Sequence, residues 1–384
     1  MSKSEVFSLF LHLLRAALGD DHRTTDALSR MDADTARELY RLAKGQDLSH
    51  LVSYVAVRDS VVLDDSVRAS FERDELMSAF RCESMKLAYE QICHTMDDAQ
   101  IAYLPLKGSV VRPYYPIDSM RTSCDIDVLI HEQDVERAVA TLEAIGYRAE
   151  ARAYHDISLY SPDGIHLELH FHICENVDAL DAVLQEAWEH AHLVEGSRYA
   201  FSSEFFSFHM IAHMAYHFLS GGCGIRPLMD LWVMEHRMGI SYLCAEPLLH
   251  RAGLYTFACE MAALAERAFT EGDPSLASDD AIRYLLDGGV YGSLENAVAV
   301  SSAEKGGAAR YFWRRLFLPY REMVIGYPIL KRAPVLLPFC WMLRLVKTAL
   351  GGKARRVLRE VAYVKDARDT ANDAAVRLRS RLGL

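Results

Sequence analysis

Apolar residues along the first hundred positions recur at helical intervals. Val6, Leu9, Phe10, Leu13 and Leu14 fall three and four apart, on one face of a helix. Asp64, Asp65 and Ser66 form an N-cap region, and they predict a long helix running to about Asp97. On that helix Phe71, Leu76, Phe80, Leu87, Ile92 and Met96 are expected to make a buried stripe.

The period changes at Ile101. Residues 101–106 form a short apolar run ended by Lys107, Gly108 and Ser109. Residues 125–130 are short, apolar and β-branched after the first acids, as a buried strand requires. A helix is expected over 131–145, with Val135, Val139, Leu142 and Ile145 on one face and Gly146 as its cap. Residues 147–152, 156–160 and 165–173 read as strands, the last two joined by a turn at Pro162, Asp163 and Gly164. These elements make an α/β unit of about 95 residues. From about Leu180 the pattern returns to helix, with helices expected over 205–219 and from 226 to 238. The division expected is 1–98 helical, 99–195 an α/β core, 196–304 helical and 305–384 basic and helical.

Composition narrows the class. Of 384 residues, 51% are hydrophobic and 25% charged, which excludes a disordered or disulfide-stapled chain. The net charge of −11 argues against general duplex-DNA binding. The charge is uneven: residues 305–384 hold 18 Lys/Arg and 5 Asp/Glu, leaving 24 against 48 before them. The basic end therefore either docks on the acidic body or meets an anionic partner, RNA or a membrane surface. The Arg- and aromatic-rich segment from Arg310 to Arg321 and a basic helix expected over 353–381 carry that reading, internal docking being favoured. No two of the eight cysteines have C-x-x-C spacing, so reduced, buried thiols are expected. With no signal-peptide pattern after Met1, a cytoplasmic protein is expected, with peripheral attachment to a membrane left open. The apolar run 333–343 is about half of the roughly 20 residues that a span needs.

The strongest chemical signal is Asp125 and Asp127. At i and i+2 of a strand they point to one side. Two carboxylates so close repel unless a cation intervenes, and Mg²⁺ or Mn²⁺ accepts such oxygen ligands. Solvent-facing acids at a strand end are the plain alternative. Gly108 and Ser109, between a strand and a helix, suit phosphate oxygens, or form an ordinary turn. Lys107 and Arg121 bring positive charge nearby, although Arg121 is equally a salt-bridge partner for the acids. On residues 166–172, Glu168 shares a face with His166, His170 and His172, and is a third acid if its strand neighbours that of Asp125.

Leu104 to Ser109, then Tyr114, Tyr115 and Pro116, Arg121 and the strand 125–130 resemble the uncharacterised nucleotidyltransferase family of the DNA polymerase β-like superfamily. Leu167 to Phe171 resembles its third-acid strand, and His213 to Asp230 its helical region. The similarity spans roughly residues 70–240, more weakly to 330. It implies an α+β fold: a polymerase β-like core, a mixed sheet with flanking helices, embedded between helical N- and C-terminal regions. It also implies Mg²⁺ or Mn²⁺, and transfer of a nucleotidyl group from an NTP such as ATP to an acceptor hydroxyl on a small molecule, protein or RNA end. Carried over, Asp125, Asp127 and Glu168 are catalytic and bind metal. Lys107, Gly108, Ser109, Arg121 and Arg226 contact the nucleotide, and His170 and Asp230 stand behind the ligands. The gap from Gly108-Ser109 to Asp125 is longer than in the compact superfamily motif. The third acid is Glu rather than Asp, which moves the base by about 1 Å.

Other readings stay open. Arg226 and Asp230 are spaced as a helical ion pair. His209, His213 and His217 line one helix face, where they bind a metal, pack as bonded imidazoles or reach the phosphate pocket. The alternatives to catalysis are a silent nucleotide sensor or scaffold and a His-based metalloprotein centred on His209 and His213.

Overall fold

Ser2 and Glu5 start the first helix, Lys3–Leu18. The Ser2 hydroxyl accepts from the Glu5 N–H, and the Glu5 carboxylate accepts from the Ser2 N–H at 2.6 Å. The computed structural model describes residues 1–19, 31–175, 177–290, 292, 313, 316–350 and 371–384. The segment around Arg310 and the expected helix over 353–381 therefore lie largely outside the described residues.

The long helix runs Asp65–Asp98 with Asp64 as its cap. Phe71, Ile92 and Met96 are buried on it, but Leu76, Phe80 and Leu87 are exposed, against expectation. The buried line instead passes through Asp74 and Ser78. Asp74 accepts hydrogen bonds from Lys44 (2.8 Å), Ser49 (2.7 Å) and Tyr40 (3.1 Å), and Ser78 donates to the Ser119 carbonyl (2.9 Å). Satisfied polar groups can take core positions, and doing so turned the apolar residues outward.

Seven strands form one mixed sheet. They are β1 (Tyr103–Pro105), β2 (Asp125–Ile130), β3 (Arg148–Arg152), β4 (Asp156–Tyr160), β5 (His166–His170), β6 (Ala191–Glu195) and β7 (Arg198–Phe201), in the order β3-β4-β5-β2-β1-β7-β6. β2 and β5 are parallel neighbours, and β1 runs antiparallel to β2. The β6–β7 hairpin falls where helix was expected. It turns at Gly196, φ +55°, where a Cβ would lie 2.7 Å from Asp97 Oδ1. The same carboxylate accepts the Ser197 N–H at 2.7 Å, which fastens the hairpin to the end of the long helix. Leu193 and Val194 are both exposed, so no alternation marks the strand.

The sheet has two unlike faces. Ile126, Val128, Ile130, Ile157, Leu159, Leu167 and Leu169 pack on Met85, Ile92 and Met96 of the long helix and on Val135, Ala138 and Leu142 of helix Val135–Ala144. The opposite face carries the acids. Its Leu104, Leu106 and Leu129 join a larger core with Phe205, Phe208 and Ile211 of helix Ser203–Leu219. Helix Arg226–Val233 continues into a wider turn, Met234–Met238, which ends at left-handed Gly239.

Gln46 ties the N-terminal helices to this helical part. Buried, it donates to the carbonyls of Leu285 (3.2 Å) and Leu286 (2.8 Å) and accepts the Ile225 N–H (2.8 Å). Gln46→Ala leaves those backbone groups unsatisfied. It is expected to cost about 3 kcal/mol, measurable as a lower urea midpoint at unchanged slope.

Helix Ala371–Leu382 docks on the body. Leu378 and Leu382 are buried, and Arg381 pairs with Glu260 (2.9 Å) and Asp279 (3.0 Å). Among the described residues no helix is long and apolar enough to cross a membrane. Cys82, Cys223 and Cys340 are buried, but Cys124, in the bend before β2, and Cys244, in the short helical turn Tyr242–Ala245, are exposed, against expectation.

Candidate active site

Strand alternation aims Asp125 and Asp127 from β2 at the polar face. The parallel register sets His166 beside Asp125, Glu168 beside Asp127 and His170 beside Leu129. The three acids therefore share one side of the sheet. Ligating atoms of Asp125, His166 and Glu168 lie within 4.8 Å of one another, as do those of Asp127, Glu168 and His170. Among the described residues these are the only such groups, so His209, His213 and His217 do not gather into a metal centre.

Lys107 stands over the pair. Its Nζ lies 2.9 Å from Asp127 Oδ1, and its backbone takes the unusual φ +45°, ψ −114°. The Leu106 N–H donates to the Asp127 carbonyl at 3.0 Å, which holds the turn against β2. A non-glycine backbone kept in such a conformation is over-determined by its surroundings, as is common at functional sites. Gly108 and Ser109 open the short helix Gly108–Val111, which packs on β2. A Cβ at Gly108 would lie 3.5 Å from Arg121 Nη1, so the turn sits directly on that guanidinium.

Arg121 does not pair with the aspartates. Its Nε and Nη2 donate to Asp230, Nε to Oδ1 and Nη2 to Oδ2, each at 2.8 Å, and Tyr115 donates to Asp230 Oδ1 at 2.7 Å. Asp230 thus belongs to Arg121 rather than to Arg226. Arg226 reaches the other way, donating to the Thr122 carbonyl (3.0 Å) and pairing with Asp47 (3.3 Å). The i, i+4 spacing failed because a buried guanidinium from another element offers Asp230 two bonds where Arg226 would share one.

A family model described as an uncharacterised nucleotidyltransferase matches residues 32–270, more than half of the chain. The chain belongs to this nucleotidyltransferase family. No curated protein and no solved structure matches it.

The acids of this candidate site are not equivalent. Burial raises the Asp125 carboxyl to about 6, helped by the charge on Asp127. Burial acts the same way on Asp127, but the Lys107 charge and the His170 hydrogen bond outweigh it and hold that carboxyl far below its usual range. Glu168 is lowered by its hydrogen bond with His170. Burial opposes a charge on His170, yet its bonds to Asp127 (2.9 Å) and Glu168 (3.5 Å) raise it to about 9. Two cations, Lys107 and His170, therefore face Asp127.

Glu175 is a further acid of the site that sequence reasoning missed. It is buried, and its Oε1 lies 2.8 Å from His213 Nδ1 on helix Ser203–Leu219. His217 stacks edge-on against His213 at 4.4 Å. Burial, then the charge of Lys107, keeps His213 neutral, so one imidazole of the trio does come to the polar face. His209 is wholly buried and neither ring nitrogen has a hydrogen-bond partner; it packs edge-on to Phe201. The one signal for Glu175 in the chain is an acid five residues past β5 in an apolar stretch.

Burial raises Glu175 from the ordinary 4.5 to about 7. Between those values the folded chain holds a proton that the unfolded chain has lost, so stability falls as pH rises through that window. Glu175→Gln has nothing to ionise. It is expected to match the parent near pH 4.5 and to exceed it by about 3 kcal/mol above pH 7, read from urea midpoints at the two pH values.

Proposed function

We propose that this protein moves a nucleotidyl group from an NTP to an acceptor hydroxyl at Asp125, Asp127 and Glu168. The observation that carries the proposal is the β2–β5 register, which sets Glu168 beside Asp127 on the face where Lys107 and the Gly108-Ser109 turn also meet. The donors are hard carboxylate oxygens with one imidazole in each group, a set that fits Mg²⁺ through oxygen and Mn²⁺ through both. A divalent cation there would neutralise charge that develops on the phosphoryl oxygens.

The chain's own residues do the rest. Glu168, kept ionised by His170, takes the proton of the acceptor hydroxyl. The acceptor oxygen bonds to the α-phosphorus as the α–β phosphoanhydride bond breaks and pyrophosphate leaves. With a divalent cation held by Asp127, the Lys107 ammonium, now 2.9 Å from that carboxylate, would be free to pair with the triphosphate. The Gly108-Ser109 turn, seated on the Arg121 guanidinium, would present its backbone to the phosphates. The acceptor class is a small hydroxylated molecule, a protein side chain or an RNA end.

The test is incubation of the purified chain with each α-labelled NTP and a fractionated extract, with Mg²⁺, Mn²⁺ or chelator. Label passing to one acceptor with release of pyrophosphate, dependent on divalent ion, is the expected result. NTP binding with no pyrophosphate released in any fraction would overturn the transfer reading and favour a nucleotide sensor.

A further inference from the structure

Residues 320–350 form a small unit with its own interior. Met323, Leu330 and Cys340 are buried together, with Leu318, Tyr327, Leu337 and Trp341 packed around them, apart from the two larger cores. The Trp341 indole donates to the Leu318 carbonyl at 2.9 Å, which fixes helix Leu337–Leu350 on the turns before it.

That helix faces inward with Cys340 and outward with apolar side chains. Phe339, Met342 and Val346 are 59%, 65% and 53% exposed, at spacings of three and four that line one face for about 10 Å. On the turns before this helix Val335, 85% exposed, and Ile329 are further exposed apolar residues. Lys331, Arg332 and Lys347 are exposed beside it. From Met323 to Arg359 the chain has no Asp or Glu at all.

We propose that this face lies on an anionic lipid surface. Apolar side chains on one side of a helix, rimmed by cations and without acids, suit the boundary between acyl chains and negatively charged headgroups. Each alternative occupant lacks something. An RNA backbone offers the lysines a partner but nothing to Val335, Met342 or Val346. A second copy meeting this face across a two-fold axis sets like charges together, with no acid in the segment to pair them.

The experiment is flotation of the full chain with vesicles of phosphatidylcholine mixed with phosphatidylglycerol, and of phosphatidylcholine alone. The expected result is binding to the mixed vesicles that weakens as salt rises. Phe339→Ser with Met342→Ser should lower the partition coefficient by about tenfold or more, since both side chains leave the bilayer. Lys331→Gln with Arg332→Gln should lower it by about tenfold and flatten the salt dependence. Circular dichroism of both variants checks that these exposed changes leave the fold intact. Partition equal to the parent's in the Phe339/Met342 variant overturns the proposal. So does RNA binding lost in the Lys331/Arg332 variant without any vesicle binding, or self-association abolished by the Phe339/Met342 change. None of these results bears on nucleotidyl transfer.

Discussion

Asp127→Asn is expected to lower nucleotidyl transfer by about 10³-fold or more. Two cations, Lys107 and His170, hold this carboxylate ionised, and Asn has the same shape with no charge to offer a divalent ion. Losing about 4 kcal/mol of charge stabilisation on the reacting phosphate accounts for that factor. The same change should also be felt without substrate. Lys107 Nζ and His170 Nε2 both lie 2.9 Å from Asp127 Oδ1, and the amide leaves two buried cations facing each other. Removing one partner of a buried pair costs about 3–5 kcal/mol. Part of this is relieved as His170 gives up its proton, so the imidazole titration should fall from about 9 toward the ordinary range. NMR titration of the His170 ring and a urea midpoint read these effects with no nucleotide present. Full turnover in this variant would remove the site; unchanged His170 titration would remove the electrostatic account of it.

The second large effect is expected at Asp230. Asp230→Ala strands the Arg121 guanidinium, almost wholly buried, and takes the acceptor of the Tyr115 hydroxyl. A loss of about 3–5 kcal/mol in denaturant stability should follow. Arg121→Met combined with Asp230→Leu removes both charges and should recover much of it, as buried pairs often allow. Arg121 also sits under Gly108, and Arg112 donates to its carbonyl at 3.0 Å, so the turn loses its floor. Transfer by Asp230→Ala at a temperature where it stays folded should show a raised KM for NTP. A double-mutant cycle with no coupling between 121 and 230 would refute the pairing argument.

These two sites differ in how legible they were. Asp125 and Asp127 were readable because i and i+2 on a strand share a side whatever the rest of the chain does. Glu168 was readable by the same rule, given that its strand neighbours β2, which the parallel register supplies. The Arg121–Asp230 bond joins residues 109 apart, and no local spacing announces it. The local rule that was available, Arg226 to Asp230, named the wrong partner. Glu175 went unnoticed for a similar reason: its importance lies in being buried beside His213, 38 residues away.

The chain's local code accounts for the capped helices Lys3–Leu18 and Asp65–Asp98, for the strand Asp125–Ile130 and for two acids aimed together. Those features depend on bonds and alternation within a few residues, so they are written in neighbouring letters. Folding in three dimensions settled which side of the long helix is buried, that residues 191–201 extend the sheet, and which cation each buried carboxylate receives. Each of those outcomes turns on removing polar groups from water, and that energy is set by whatever distant segment arrives to replace the water.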